Sequence, residues 1–301
     1  MIIIAFEPNC GLGGYGDRIV GLISCKLISE LVGQEFRIIW TKEDITPYFN
    51  YKKYEYIHDT ANQFTLYDSI DRKTKLKPYL STTTDLFPEP YNKFFLNQEI
   101  AEYLYMNPKF SNKMFLDDIF RVYKTLYTDI FVPTEFLSNK IQKMIPETIN
   151  RAPIIGIQIR AGDIYIQNIW WNGYKALDEP QKTIPAILKR IKEHIDKDFP
   201  NKNYKVFLTS DYNDIYKLAI EIWHPYLVLY MNDTVQHMDR NPSGDFSKIF
   251  VDNYVLSQKT SRMYISEWSN YGRVAALSSV HNNIYNLKCE PIEKSKLLSK
   301  G

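Results

Sequence analysis

Apolar positions along the chain fall into two stretches of strand–helix alternation. The first opens with the β-branched run Ile2–Phe6, whose unbroken hydrophobicity predicts a buried strand. A loop over 8–16 follows. Apolar residues at Ile19, Leu22, Ile23, Leu27 and Leu31 then repeat at helical spacing and predict a helix over 17–31. Gly33 suits the left-handed position that closes a helix, and Phe36–Trp40 reads as the next strand. Strand, helix and strand in that order predict a parallel βαβ unit. Prolines and aromatics are scattered over 44–99, which predicts irregular loops and short helices lining an acceptor side. Residues 101–127 read as largely helical, with Pro133 and Pro146 marking the exit.

The pattern restarts at Ile154–Ile159. A loop carrying Trp170 and Trp171 leads to a helix over 183–196, then a strand over 204–209 that ends in Ser210-Asp211. Further helices are predicted over 214–222 and 246–257, and strands over 227–230 and Arg262–Ile265. A turn over 267–270 leads into a last helix over 271–278. The prediction is α/β: two Rossmann-like domains, 1–150 and 151–301, facing each other across a cleft, with 146–153 as linker.

At 301 residues the chain suits two domains, and 45% hydrophobic with 24% charged residues is a globular balance. Tyr (23) and Phe (16) are numerous enough to line carbohydrate grooves as well as cores, although AT-rich coding enriches them in the same way. A net charge of +2 without basic blocks argues against nucleic acid. The one basic cluster, 294–300, reads as a solvated end, with peripheral contact to an anionic membrane as the other option. Cys10, Cys25 and Cys289 support neither a disulfide framework nor a zinc site. Residues 1–6 read as a strand rather than a signal segment, and no run spans a bilayer, so a cytoplasmic protein is expected.

Three turns carry candidate chemistry. Gly11-x-Gly13-x-x-Gly16 lies between a strand and a helix, where backbone N–H groups can approach a phosphate. The second strand ends in Trp40-Thr41-Lys42, with Glu43 and Asp44 only beyond, so a nicotinamide cofactor is disfavoured. The glycines also suit a plain tight turn with Asp17 as cap. Arg160 follows the strand Ile154–Ile159: either it pairs with Asp163 at the surface, or it clamps a diphosphate. Ser269 and Asn270 open a helix, where a hydroxyl and an amide suit a diphosphate as well as a cap. Asp252, on the preceding helix, is either exposed or accepts from guanine. The five histidines form no metal spacing, and no metal is expected.

Taken together, Gly13-Gly14-Tyr15-Gly16-Asp17-Arg18, Gln158-Ile159-Arg160-Ala161-Gly162-Asp163, Val206-Phe207-Leu208-Thr209-Ser210-Asp211 and the runs 251–258 and 269–275 resemble the fucosyltransferase superfamily of core α1,6-fucosyltransferases and nodulation fucosyltransferases. The second run is similar to that family's His-x-Arg-Arg-x-Asp motif, with Gln158 and Ala161 as departures. The resemblance implies a GT-B fold, an inverting, metal-independent transfer of fucose from GDP-fucose to a glycan or glycolipid hydroxyl, and no cofactor. It implies donor contacts at Gly14, Tyr15, Gly16, Gln158, Arg160, Asp211, Asp252, Ser269, Asn270 and Arg273. Arg160 would neutralise the departing GDP, and Asp17 and Asp163 are the candidate general bases. Ala161 removes one cation, which leaves two alternatives open: another GDP-sugar as donor, or a sugar-nucleotide-binding protein without turnover.

Overall fold

The computed structural model describes residues 1–8, 13–41, 43–57, 63–68, 75–145, 152–162, 179–212, 214–223, 228–229 and 246–298. The chain divides into two compact units, Met1–Thr134 and a second beginning at Glu135. Of the expected linker, residues 146–151 lie outside the described residues.

In the first unit, β1 (Ile2–Phe6) is buried at every position and continues into α1 (Tyr15–Val32) and β2 (Phe36–Trp40). Gly33 closes α1 at φ +71°, and the Gln34 N–H reaches back to the Ser29 carbonyl at 2.9 Å. A two-residue strand, β3 (Phe49–Asn50), comes next. The region expected to be irregular then supplies two more strands, β4 (Thr65–Asp68) and β5 (Asn92–Phe95), and the short helix α2 (Lys77–Thr82) between them. The sheet is parallel, in the order β2-β1-β5-β4. Strand β5 hides in the sequence because it opens with two polar residues, one on each face of the sheet. Asn92 donates to the carbonyls of Met1 and Glu89, and Lys93 Nζ lies 2.8 Å from Glu7 Oε1, so both polar groups are satisfied inside.

The helix expected over 101–127 is three pieces. Ala101–Met106 is 3-10 helix, α3 (Phe115–Lys124) is α-helical, and Leu126–Ile130 is a π turn. The break falls at Asn107-Pro108: proline disfavours helix at the residue before it, and the Asn107 side chain accepts the Lys109 N–H at 3.0 Å. The unit ends with β6 (Val132–Pro133), antiparallel to β3.

The second unit begins with α4 (Glu135–Met144) and continues through β7 (Ile154–Ile159), α5 (Pro180–Asp198), β8 (Lys205–Ser210), α6 (Ile215–Trp223) and β9 (Val228–Leu229). It closes with α7 (Ser247–Lys259), β10 (Arg262–Ile265), α8 (Asn270–Leu277), β11 (Ile284–Asn286) and α9 (Lys294–Leu298). Its five strands are parallel in the order β11-β10-β7-β8-β9. One face of β7 (Ile155, Ile157, Ile159) packs with Ile184, Leu188, Ile191 and Ile195 of α5, each burial worth about 1.5–3 kcal/mol. The opposite face carries Gly156 and Gln158; a Cβ on Gly156 would meet Leu256 of α7 and Thr260 just past its end at 2.9 Å. The chain builds outward from β7 to β9, then returns to place β10 on the other flank of β7. In open α/β sheets such a reversal opens a crevice at the carboxyl ends of the two central strands.

Over 294–298 the basic C-terminal segment is docked rather than a loose solvated end. Leu297 of α9 is fully buried, and Lys294 Nζ donates to the Ser279 carbonyl at 2.9 Å. No helix among the described residues is long and apolar enough to cross a membrane.

Beside α9, His281 accepts the Asn283 N–H at Nδ1, so the neutral ring carries its hydrogen on Nε2, 3.2 Å from Thr260 Oγ1. Burial, then the charge of Lys294, pushes its pKa down to about 4. The unfolded chain takes up this proton near pH 6.5, the folded one only near 4, so the stabilisation present at neutral pH is lost as pH falls between them. The destabilisation caused by His281→Gln, read from urea unfolding, is therefore expected to shrink by about 2 kcal/mol between pH 7 and pH 4.5 after allowance for partial exposure. A pH-independent difference contradicts this.

Candidate functional site

The crevice beside β7 is where the chain concentrates buried polar groups. Arg160 leaves the end of β7, and its backbone N–H donates to Ser266 Oγ at 2.9 Å, tying the ends of β7 and β10 together. The chain turns through Ala161 and Gly162; Gly162 sits at φ +120°, which side-chain-bearing residues rarely adopt. Both turn N–H groups donate to the carboxylate of Asp211 at the end of β8, Ala161 to Oδ1 and Gly162 to Oδ2 at 2.9 Å. Arg160 Nε lies 3.2 Å from the same Oδ2. Burial pushes the Asp211 carboxyl above its ordinary pKa, against the Arg160 charge and the turn N–H groups. Asp211 thus holds the guanidinium and the turn that carries it, while the Arg160 side chain stays 19% exposed. Arg160 thus pairs with Asp211; Asp163 lies outside the described residues.

Gln158 is wedged behind this turn. Its Oε1 accepts the Ser266 N–H at 3.2 Å, and Nε2 lies 3.5 Å from Ser269 Oγ. A Cβ on Gly272, in the first turn of α8, would lie 2.3 Å from Gln158 Oε1, so only glycine lets the helix sit on this amide. The buried amide braces the N-terminus of α8. Gly272→Ala is expected to displace Gln158, break its bond to Ser266 and lower stability by about 1–2 kcal/mol. Urea denaturation checks this, and an unchanged midpoint contradicts it.

Ser269 caps α8 with extended backbone, and Asn270 is the first helical residue. Asn270 Oδ1 accepts from Arg273 Nη1 at 2.7 Å, while Arg273 Nε and Nη2 donate to the carbonyls of Leu297 and Leu298. Arg273 therefore pins α9 onto α8. On α7, Asp252 is almost wholly buried and its Oδ2 accepts from Lys248 Nζ at 2.8 Å. Lys248 also sits over the Tyr216 ring at 5.2 Å. Burial opposes the ammonium, but Asp252 and Tyr216 outweigh it and hold its pKa above that of an ordinary lysine. An exposed Asp252 is thereby corrected: the acid is internal and ion-paired. Lys248 was missed, although its (i, i+4) spacing to Asp252 is visible in the sequence.

In the first unit, the Asp17 carboxylate folds back over the glycine turn and accepts the Gly14 N–H at 2.9 Å. The Tyr15 ring is buried, its Oη 3.1 Å from Tyr127 Oη, and burial raises its pKa. Gly16 is buried as well. Arg18 is fully buried, donates to the Gly13 carbonyl at 3.2 Å and pairs with Glu43, so the turn is stapled to the end of β2. Among the described residues, no three His, Cys, Asp or Glu side chains converge as a metal site.

No protein-family profile and no curated protein sequence matches the chain. Solved structures do. A mutant of Arabidopsis thaliana FUT1 in complex with GDP aligns with a TM-score of 0.63 and 16% identity over 94% of this chain and 70% of that one. NodZ alpha-1,6-fucosyltransferase soaked with GDP-fucose gives a TM-score of 0.55 and 14% identity over 92% of each chain. Fucosyltransferase NodZ from Bradyrhizobium gives 0.53 and 15%, again over 92% of each. The chain has the α/β fold of these fucosyltransferases.

Proposed function

We propose that the protein is an inverting, metal-independent glycosyltransferase that moves fucose from GDP-fucose to a hydroxyl of a glycan or glycolipid. The donor binds the second unit and the acceptor is recognised by the first. The observation that carries this reading is the cation at the end of β7: Arg160, oriented by buried Asp211, beside the N-terminus of α8, in a fold shared with fucosyltransferases solved with GDP or GDP-fucose.

The chemistry follows from the charges. An acceptor oxygen attacks the anomeric carbon as the bond to the donor β-phosphate breaks, and a single displacement inverts that carbon. Negative charge grows on the departing GDP. The Arg160 guanidinium presents a planar set of donors to phosphate oxygens, and the helix end at Ser269 and Asn270 adds oriented backbone N–H groups. Fixed donors aimed at developing charge do the work that a metal ion does elsewhere. Asp17 and Asp163 are the candidates for removing the acceptor proton. Gln158 and Asp211 act as positioning residues, the first bracing α8 and the second holding Arg160.

Ala161 favours one rival, a sugar-nucleotide-binding protein without turnover, since alanine stands where the resembled motif carries a second arginine. Calorimetry with GDP, GDP-fucose and GDP-mannose separates the readings. GDP and GDP-fucose are expected to bind, GDP-mannose more weakly, with slow release of fucose from bound donor. Failure of GDP to bind contradicts the proposal, and binding without any turnover supports the rival.

A further inference from the structure

The segment that leaves β5 is laid directly across α1. A Cβ on Gly21 would lie 2.0 Å from the Leu96 carbonyl oxygen, so the two backbones touch where α1 carries no side chain. One turn further along the helix, Ser24 Oγ accepts the N–H groups of Ile100 and Ala101 at 3.0 and 2.9 Å. It thereby caps the 3-10 segment Ala101–Met106 from a neighbouring helix. The Ser24 hydroxyl donates in turn to Glu99 Oε1 at 2.9 Å, which also accepts the Ala101 N–H at 2.6 Å. Glu99 is the acid enclosed in this joint. Its other oxygen, Oε2, is buried and has no hydrogen-bond partner among the described residues, and the same holds for Asn97 Oδ1 two positions before it.

We infer that Glu99 is a proton-gated latch, which in its neutral form holds the start of 101–106 on α1 and on ionisation loosens it. α1 begins at the glycine turn, so the latch sets how firmly the helix behind that turn is held. The inference does not depend on any substrate.

A buried carboxylate oxygen without a donor is costly, and far less so once the group is neutral. The surrounding groups do not supply the missing donor. Glu102, in the first turn of the 3-10 segment, brings charge of the same sign. Burial, then the Glu99 charge, holds the Cys25 thiol of α1 well above its ordinary pKa. Tyr105 donates to Asp118 of α3 at 2.8 Å, while Arg121 is engaged by Glu30 at 2.8 Å and by Asp118 at 3.7 Å. On α2, Lys77 sits over the Tyr103 ring at 5.6 Å. Burial accordingly pushes the Glu99 pKa up to about 7, against the Ser24 hydroxyl and the Ala101 N–H, with the Glu102 charge acting in the same direction as burial. In the unfolded chain a glutamate ionises near about 4.3. Between those values the folded state holds a proton that the unfolded chain has released, so stability from this group is lost as pH rises through that window. The sign is opposite to that of His281, which makes the two separable.

Carbon-13 NMR of the full chain, labelled at its glutamate carboxyls, tests the latch. One carboxyl is expected to titrate near pH 7, and its signal to vanish in Glu99→Gln. Hydrogen exchange supplies the second reading. After correction for intrinsic rates, the Ile100 and Ala101 amides are expected to lose roughly tenfold in protection between about pH 5.5 and pH 8 in the parent, and to keep it in Glu99→Gln. Should that variant not fold, Ser24→Ala serves instead: it removes a donor that favours the ionised form, so the high carboxyl midpoint is expected to rise further. Glutamates that all titrate in the ordinary range, or protection that changes equally in the parent and Glu99→Gln, overturn the latch.

Discussion

Arg160→Ala is expected to lower fucose transfer by roughly 10²–10³-fold or more, the scale seen when one fixed donor to a developing charge is removed. Two effects act together. The departing diphosphate loses its cation, and the Asp211 carboxylate loses the partner that opposes its burial. Asp211 keeps the Ala161 and Gly162 N–H groups, so the turn survives and unfolding stability falls by only about 1–3 kcal/mol. Arg160→Lys keeps the charge but lacks the fork, and is expected to recover a minor part of the rate. GDP release with acceptor, measured beside the unfolding midpoint, checks both halves. Near-normal turnover in the alanine variant removes Arg160 from the chemistry.

The largest stability effect is expected at Arg18. Its guanidinium is fully buried against Glu43, whose side chain is 6% exposed, and it lies 5.8 Å from the centre of the Trp40 ring. Arg18→Ala leaves the Glu43 charge buried without its partner, which costs about 3–5 kcal/mol. The Gly13 carbonyl loses a donor in the same step. Combining Arg18→Met with Glu43→Gln removes both charges and is expected to recover at least half of that loss. Urea denaturation of the three variants gives the answer; a single variant within about 0.5 kcal/mol of the parent contradicts it.

These effects show where the sequence is transparent. Ile2–Phe6, Phe36–Trp40, Ile154–Ile159 and Arg262–Ile265 were legible to the residue because strands buried in a parallel sheet are dominated by β-branched and other apolar residues, with only Arg37, Gln158 and Arg262 interrupting these four. Strands β4 and β5 were not, since Thr65–Asp68 is a half-exposed edge and the polar groups of Asn92 and Lys93 are satisfied by distant partners. The site followed the same division. A cation at a strand end and a capped helix are local signals, so Arg160, Ser269 and Asn270 could be read from the chain. That Asp211 holds Arg160, that Gln158 braces α8 and that Arg273 serves α9 depend on which strand and helix ends meet. The tertiary fold decides that, and no local spacing encodes it.

Whether the protein moves fucose from GDP-fucose is read on a glycan array incubated with labelled GDP-fucose. Label is expected on a defined class of glycans with the parent protein and none with Arg160→Ala. No transfer to any glycan from a protein that binds GDP-fucose, or transfer from labelled GDP-mannose instead, would contradict the proposed function.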